Sequence, residues 1–509
     1  MKSVTVSRSS LEKFSASNGQ SVSMKFRIEG DSLFEDGKLF EALECYNKSL
    51  SWAELNSRDS SLAYERRSAV YFRVKEYELC LDNVQSALSC CEDNARTESL
   101  GERKKMCEEL MGYDQRNIDA DPSSFFKLSY QANDKISFIV DCLELHESKD
   151  FGRFIITNQD LQPGDIIAIE EPFFRTVTIE AAHTRCTNCL KSNKMNLIPS
   201  TASQTAMFCS KECIEVATNN FFRAENMLKM HDIKQRMLFE ALAICGGSFD
   251  KLNQLMDATD FRQSTVFDFD LKNPQHPLYK YNLLMSIMSL SQIATVSDEV
   301  VSYLSRHPIL NSIEDGHDKE IAQRFLLRCY RILTVNSFGI EWVVPARPRD
   351  FTKDTIVTKL AGDALCLFGS LINHSCTPNV DRIFVGNKFV FFVRRPIQSG
   401  QQLFVSYGAL FLDIPREIRQ QNLKDEYGFV CCCEACAGDY PTAAIYPWTG
   451  IPLVVKESSE VSEWKEEFTR NCLKIVKKQH VYSHSELCLI MMRNVYLLVA
   501  IAKTEPFIF

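Results

Sequence analysis

Three separate segments in the second half of the chain carry the residue types best suited to chemistry. Asn373-His374-Ser375-Cys376 comes first, Tyr407 follows, and Cys431-x-Cys433-x-x-Cys436 comes last. A C-x-C-x-x-C run supplies three thiolates, whereas structural zinc is held by four ligands in a tetrahedron. Cys376 is the candidate for the fourth ligand, so the pattern predicts a zinc site that joins two distant segments. Cys432 is a minor alternative to Cys431 or Cys433 in that site.

A second group of cysteines has the spacing of another metal site. Cys186-x-x-Cys189 and Cys209-x-x-x-Cys213 are two pairs separated by about twenty residues. Four thiolates can bind one zinc ion and hold a loop-rich segment that has little core of its own. The chain has 20 cysteines, and its polar first residues (MKSVTVSRSSLEKF) lack the apolar run of a signal peptide. We therefore expect reduced thiols and about two zinc ions per chain rather than disulfides.

Composition narrows the classes of function. The 509 residues carry a net charge of −8, and the compact basic cluster Arg103-Lys104-Lys105 stands alone. Direct nucleic-acid binding is therefore not expected. The longest apolar run, residues 487–502, contains Arg493 and Asn494 and is too short for a bilayer span, so a buried helix is expected. The many cysteines and the lack of a secretory signal predict a protein of the cytoplasm and nucleus.

The sequence around these motifs resembles known families. The run AMFCSKEC (206–213) resembles part of a MYND zinc finger. The runs GSLINHSCTPNV (369–380), IQSGQQLFVSYG (397–408) and YGFVCCCEACAG (427–438) resemble the catalytic end of a SET domain. Together they resemble the SET- and MYND-domain-containing family, in particular its branch with N-terminal helical repeats and insect members.

Comparison with a complete MYND finger implies that half of this finger has lost its metal. A complete finger has eight ligands that bind two zinc ions. The four cysteines above match one set, and the other set falls on Ser200, Ser203, Phe222 and Asn226. The resemblance therefore implies a degenerate finger with one zinc and a less ordered half from Asn196 to Ala206.

The SET resemblance implies transfer of a methyl group from S-adenosylmethionine to a lysine of a histone or non-histone protein. It gives Tyr407 the catalytic role and Phe338 a wall of the lysine channel. The residues expected to contact the cofactor are Gly152, Arg153, Asn336, Asn373, His374, Tyr407 and Phe429. In this comparison the post-SET zinc ligands are Cys376, Cys431, Cys433 and Cys436.

Two departures from the family pattern support an alternative function. Phe154 stands where the cofactor-binding turn has its second glycine, and Gln401-Gln402 replaces two glutamates. A bulky side chain removes the close backbone approach that glycine allows. The alternative is a weak or inactive SET/MYND scaffold or transcriptional cofactor that acts through its helical repeats. The retained Tyr407, Asn373 and His374 favour the enzyme.

The first part of the chain contains an internal repeat. Residues 25–50 and 63–88 align at an offset of 38, with small residues at Gly30 and Ser68 and again at Ala42 and Cys80. Small residues at helix crossings allow close packing, so the pattern predicts helix-turn-helix repeats that resemble tetratricopeptide repeats. Residues 97–118 are expected to add a capping helix. The repeats predict binding of protein partners, and the alternative is a helical hairpin that serves only as scaffold.

The predicted fold class is α+β and multidomain. Its predicted parts are a polar N-terminal segment (1–22), helical repeats (23–120), the first part of a SET domain (138–185), a degenerate zinc finger (186–226), a helical insert (227–333), the SET core (334–412), a post-SET zinc segment (413–440) and C-terminal helices (441–509).

Overall fold

The chain forms two compact units in a computed structural model. The described residues are 21–90, 93–111, 125–201, 203–220, 238, 241–242, 245–257, 265–272, 279–287, 302, 310–311, 313–345, 356–442, 458–478 and 484–502. The first unit comprises residues 1–117, 179–217 and 505–509, and the second comprises residues 118–178 and 218–504. Most of the predicted segment 1–22 lies outside the described residues, as do Phe222 and Asn226.

The first unit begins with two helical hairpins and a fifth helix, in agreement with the predicted helical N-terminal region. The helices are α1 (Val22–Glu35), α2 (Leu39–Trp52), α3 (Arg58–Arg73), α4 (Tyr77–Leu88) and α5 (Asn94–Met111). Ser21 and Ser57 cap α1 and α3, because each hydroxyl accepts a hydrogen bond from a backbone N–H of the first turn.

The repeat pattern has a steric cause at Gly30. A Cβ built on Gly30 lies 2.5 Å from Cε1 of Tyr46, so a larger residue would force α1 away from α2. Ala42 and Cys80 are both 0% exposed in the shared core of these helices. The small residues of the repeat therefore mark the places where the paired helices cross.

The segment with the first cysteine pairs, where the sequence predicts a zinc finger, belongs to the same unit. It contains the two-residue strands β5 (Ile198–Pro199) and β6 (Met207–Phe208), which pair antiparallel, and it continues into α6 (Lys211–Asn220). The prediction of a less ordered half between Asn196 and Ala206 is wrong for the described residues. Leu197 and Ala206 are buried, and Ser200 N donates to Ala206 O at 2.9 Å.

The second unit opens with four strands, and further strands follow after helical segments. The strands are β1 (Leu143–Ser148), β2 (Gly152–Thr157), β3 (Ile166–Glu170), β4 (Phe174–Val177), β7 (Ser337–Pro345), β8 (Ile356–Leu365), β9 (Asn373–His374), β10 (Val380–Val385), β11 (Lys388–Val393) and β12 (Phe404–Val405). They form small sheets with the orders β1-β2, β10-β11-β3, β4-β8-β7 and β12-β9. The pair β9 and β12 is parallel, and the other named pairs are antiparallel.

The second unit also contains helices, and the C-terminal ones pack against a sheet. They are α7 (Phe249–Asp257), α8 (Tyr279–Ser286), α9 (Gly316–Asn336), α10 (Arg416–Tyr427), the short α11 (Glu434–Ala437), α12 (Ser458–Lys478) and α13 (His484–Ala502). Trp464 and Phe468 of α12 and Leu498 of α13 share a core with Val390 and Phe392 of β11. Among the described residues, no helix is both long and apolar enough to cross a bilayer.

Candidate active site

A cavity of about 550 Å³ opens in the second unit, within the size range of cofactor pockets. Six of the seven residues predicted to contact a cofactor line this cavity, namely Arg153, Asn336, Asn373, His374, Tyr407 and Phe429. Residues that are far apart in the sequence therefore meet around one space.

The parallel pair β9 and β12 brings the two central motifs together. Asn373 pairs with Phe404, and His374 pairs with Val405. Ser375 N donates to Val405 O at 3.0 Å, and Tyr407 N donates to Nδ1 of His374 at 3.1 Å. The backbone of one motif thus fixes the position of Tyr407 in the other.

The Tyr407 phenol is oriented by the chain itself. Its hydroxyl donates to the carbonyl oxygen of Ile372 at 2.9 Å. Burial raises the pKa of Tyr407, the neighbouring Tyr427 raises it further, and Arg382 opposes the shift. Tyr407 therefore stays protonated at neutral pH and acts as a hydrogen-bonding group rather than as a base.

His374 is held neutral beside Tyr407. Burial lowers the pKa of His374 to about 4. Because Nδ1 accepts a hydrogen bond from Tyr407 N, the tautomer assigned by this contact carries its proton on Nε2. The rings of His374 and Phe429 lie 6.1 Å apart, so Phe429 forms the apolar side of the same wall.

The turn between β1 and β2 forms another wall. Asn373 Nδ2 donates to Phe151 O at 3.1 Å and thereby ties this turn to β9. Gly152 has a φ of +62°, a left-handed conformation that favours glycine. Gly152 shapes the turn without lining the cavity, whereas Arg153 lines it and donates from Nη2 to Ser286 O at 3.1 Å.

The departures from the family pattern lie outside the lining of the cavity. The Phe154 ring packs near the rings of His146 and Phe151. Gln401 Oε1 accepts a hydrogen bond from Gln398 N in a turn, and Gln402 O accepts one from Asn379. These side chains therefore do not obstruct the cavity.

Asn336 and Phe338 lie at the junction of α9 and β7. Asn336 is 7% exposed, lines the cavity and donates from Nδ2 to Ile332 O at 2.7 Å. Phe338 is buried behind the lining, with the guanidinium carbon of Arg382 4.4 Å from its ring centroid. Its role as a wall of the lysine channel stays a prediction.

Both predicted cysteine clusters are assembled. Among the described residues, Cys186, Cys189, Cys209 and Cys213 form one group, and Cys376, Cys431, Cys433 and Cys436 form the other, each with its sulfur atoms within 4.8 Å of one another. A Zn–S bond of about 2.3 Å places tetrahedral sulfurs about 3.8 Å apart.

The measured sulfur–sulfur distances fit that tetrahedron. They are 3.5 Å for Cys189–Cys209 and 3.9 Å for Cys376–Cys431. Cys432 is exposed and lies outside the second group, which removes it as an alternative ligand. Both donor sets suit zinc.

The second cluster has a buried cation beside it. Arg419 of α10 is 0% exposed and directs Nη2 at Cys436 Sγ from 3.7 Å. Four thiolates around Zn²⁺ carry a net charge of −2, and a guanidinium at this position offsets part of it. Cys431 and Cys433 also line the cavity, so this metal site and the cavity share a wall.

The structure reveals further site residues that sequence reasoning missed. The Tyr427 ring lies 4.9 Å from that of Tyr407 and lines the cavity. Asn379 bonds Gln402 O and Phe404 N through its side chain and so fixes β12. Both residues lie inside or beside the quoted motifs, so the motif positions were the available signal. Arg382, which packs on the Phe338 ring, lies outside the quoted motifs, so no motif indicated it.

Comparison with known proteins agrees with this geometry. The SET domain family model matches residues 152–408, about half of the chain. The mouse protein-lysine N-methyltransferase SMYD4 is 20% identical over 83% of this chain and 68% of its own length. The human protein-lysine N-methyltransferase SMYD4 is 21% identical over 81% of this chain and 66% of its own length.

A further relative matches a smaller share of the chain. The mouse histone-lysine N-methyltransferase SMYD3 is 24% identical over 60% of this chain and 65% of its own length. The match of the family model, the assembled motifs around one cavity and these relatives lead to one conclusion. The chain belongs to the SET-domain family and is homologous to its SET- and MYND-domain-containing members.

Proposed function

We propose that the protein transfers a methyl group from S-adenosylmethionine to the side-chain amine of a lysine in a protein substrate. The observation that carries this proposal is the position of Tyr407. Its phenol is fixed by Ile372 O and stays protonated at the wall of a cavity that Asn373, His374 and Phe429 also line.

The cavity offers the groups that a nucleoside cofactor requires. Bound S-adenosylmethionine supplies an electrophilic methyl group on a sulfonium. Phe429 provides an apolar face for a base, while Asn336 and Asn373 provide amide groups in the lining. The lining also contains the charged side chains of Arg153 and Glu434.

The protein must also favour the neutral form of the substrate lysine amine. An ammonium has no lone pair, so the amine must arrive neutral although its ordinary pKa is about 10.4. An apolar channel disfavours the charged form, and a nearby cation does the same. The rings of Tyr407 and Tyr427 lie 4.9 Å apart, and Arg382 Nη1 donates to the carbonyl oxygen of Ser406, the residue before Tyr407, at 3.4 Å.

We also propose one zinc ion at each cysteine cluster, the first in a degenerate MYND finger and the second in a post-SET segment. The sulfur spacing of both groups supports this assignment. We further propose that the helical hairpins are tetratricopeptide-like repeats that bind protein partners. We also propose that the protein resides in the cytoplasm and nucleus.

The scaffold alternative loses its sequence support at the cavity. It rested on the lost zinc site of the finger, on Phe154 and on Gln401-Gln402, and neither Phe154 nor Gln401-Gln402 lines the space. The residues that form the cavity favour an enzyme.

Calorimetric titration of the zinc-loaded full-length protein with S-adenosylmethionine tests the proposal without a known substrate. We expect micromolar binding that Asn373→Ala weakens at least tenfold, because that variant loses the link to Phe151 O. Asn158→Ala is the matched control, since its amide bonds the exposed Glu144 at 2.8 Å, and it should bind normally. Absence of binding at millimolar cofactor would contradict a methyltransferase.

A further inference from the structure

In the first unit, one face of the helical repeats carries buried polar side chains that contact the zinc finger. We call this the docking face and define it by Asn47 of α2, Arg67 and Tyr71 of α3, and Asn83 of α4. Asn47 is 0% exposed, and Arg67 and Asn83 are each 1% exposed. Buried polar groups of this kind are costly unless they find partners.

The partners are provided by residues Asn193–Leu197, which we call the finger loop. Asn47 Nδ2 donates to Met195 O at 3.0 Å, and Arg67 Nη1 donates to Leu197 O at 2.8 Å. Tyr71 hydroxyl donates to Lys194 O at 2.9 Å. The docking face therefore binds three carbonyl groups of the finger-loop backbone.

Side chains of the finger loop add specificity to this contact. Asn83 Nδ2 donates to Asn196 Oδ1 at 2.9 Å, and Arg67 Nη2 donates to the same oxygen. Lys194 Nζ pairs with a Glu76 carboxylate oxygen at 2.7 Å. Met195 is 0% exposed and belongs to the hydrophobic core of the repeats.

The backbone of the finger loop requires such support. Asn193, Lys194 and Met195 have φ values of +48°, +50° and +61°. Non-glycine residues in this region are strained and persist where the surrounding contacts hold them in place. The four cysteines of the finger lie outside this loop, and Ser200 and Ser203 provide no thiolate.

We propose that the docking face takes the place of the finger's second metal site. The repeats fold the metal-free half of the finger, and the finger loop is the occupant of the docking face. A protein partner can bind this face only by displacing Met195. The inference does not depend on methyltransferase activity, because it concerns the first unit alone.

Hydrogen exchange measured by mass spectrometry on the full chain tests this proposal. Asn47→Ala and the milder Tyr71→Phe should accelerate exchange of peptides covering residues 193–201 at least tenfold. Helices α3 and α5 should keep their protection. Lys48→Ala, next to Asn47 on α2, is the matched control and should leave the finger loop unchanged.

Cys213→Ser provides the converse test, because it removes one ligand of the finger cluster. We expect faster exchange in residues 186–190 and retained protection in residues 193–197. The proposal is overturned if the finger loop opens in Cys213→Ser as fully as residues 186–190. It is also overturned if Tyr71→Phe and Asn47→Ala both leave the exchange of the finger loop unchanged.

Discussion

Tyr407 is the residue through which the proposed chemistry is most directly tested. Its hydroxyl is oriented by a backbone carbonyl oxygen, and the residue belongs to the cavity lining. Its ring is packed against His374 and Tyr427, so removal of the oxygen alone should leave the wall intact.

We expect Tyr407→Phe to reduce methyl transfer by about 10²–10³-fold, the usual effect of losing one oriented hydrogen-bonding group. Affinity for S-adenosylmethionine should change less than threefold, because the cavity keeps its shape. Transfer of labelled methyl groups and calorimetry measure the two quantities. Tyr64→Phe, in the first unit, is the matched control, and equal activity of both variants would contradict the catalytic role.

Arg382 leads to a second prediction, about pH. The carboxylates and other ionisable groups that influence it are Asp381, Glu341, Cys366 and Tyr427. Because a nearby cation favours the neutral amine, Arg382→Met should move the rising limb of the pH–rate profile upward by up to about one unit. Arg382→Lys keeps the charge and should stay near the wild-type profile. Identical profiles for the two variants would show that the charge has no effect on the amine.

At the residue scale, sequence motifs predicted several of the residues that line the cavity. Asn373, His374, Tyr407 and Phe429 were identified from their motifs, because local order within a motif is preserved in the fold. Arg382 was missed since its importance comes from Phe338, which lies in another strand and contacts it only after folding. A residue whose partners are distant in sequence carries no local signature.

At the scale of secondary-structure elements, a single carboxylate connects β3 with the segment that precedes β9. Glu170 is 1% exposed, and its two oxygens accept hydrogen bonds from Leu367 N, Phe368 N and Gly369 N at 2.5, 3.0 and 3.1 Å. Burial raises the pKa of Glu170 to about 7, although these three donors oppose the shift. Glu170 thus anchors the turn that leads into Asn373.

The raised pKa predicts a pH-dependent stability. The folded protein holds the Glu170 proton more tightly than the unfolded chain, whose ordinary value is 4.5. The stabilisation is therefore complete below pH 4.5 and is lost as pH rises through about 7, by up to about 3 kcal/mol.

Glu170→Gln should remove that pH dependence from the free energy of unfolding and add a pH-independent loss, because an amide cannot accept all three hydrogen bonds. Glu171→Gln is the matched control, since Glu171 is adjacent and exposed. Denaturant unfolding at pH 5, 6 and 7.5 measures the effect. If Glu170→Gln and the wild type show the same slope with pH, Glu170 does not titrate in this range.

The sequence predicted the positions of the helices better than the contacts that helices make with distant segments. The sequence predicted helical repeats over residues 25–50 and 63–88 and helices within 441–509, because repeated small residues and apolar runs are local signals. The order of the finger half between Asn196 and Ala206 was missed, since it depends on Asn47 and Arg67, more than a hundred residues away. The sequence shows that four metal ligands of the finger are missing, but it does not show which contacts hold this half of the finger in their place.

For the whole molecule, the two cysteine clusters belong to different units and should fail independently. The finger cluster lies in the first unit, whereas the Cys376 cluster shares a wall with the cavity of the second. Loss of metal from the Cys376 cluster should therefore disturb the cavity, whereas loss of metal from the finger cluster should not.

We expect about two zinc ions per chain by elemental analysis. Cys186→Ser and Cys436→Ser should each lower the content by about one. Cys436→Ser should also weaken binding of S-adenosylmethionine at least tenfold, because Cys431 and Cys433 form part of the cavity, whereas Cys186→Ser should not. Three zinc ions per chain would contradict the metal-free half of the finger.

The cavity draws its lining from residues as far apart as Asp150 and Glu434. A ribosome adds about 5–20 residues per second, so roughly 15–60 s separate the synthesis of its first and last walls. During that interval the nascent chain carries Asp150 and Arg153 without the residues that complete the binding site. The cofactor site therefore cannot form before Glu434 has been added, and a cofactor-dependent gain in stability can protect only chains that have already reached the cysteines of the second unit.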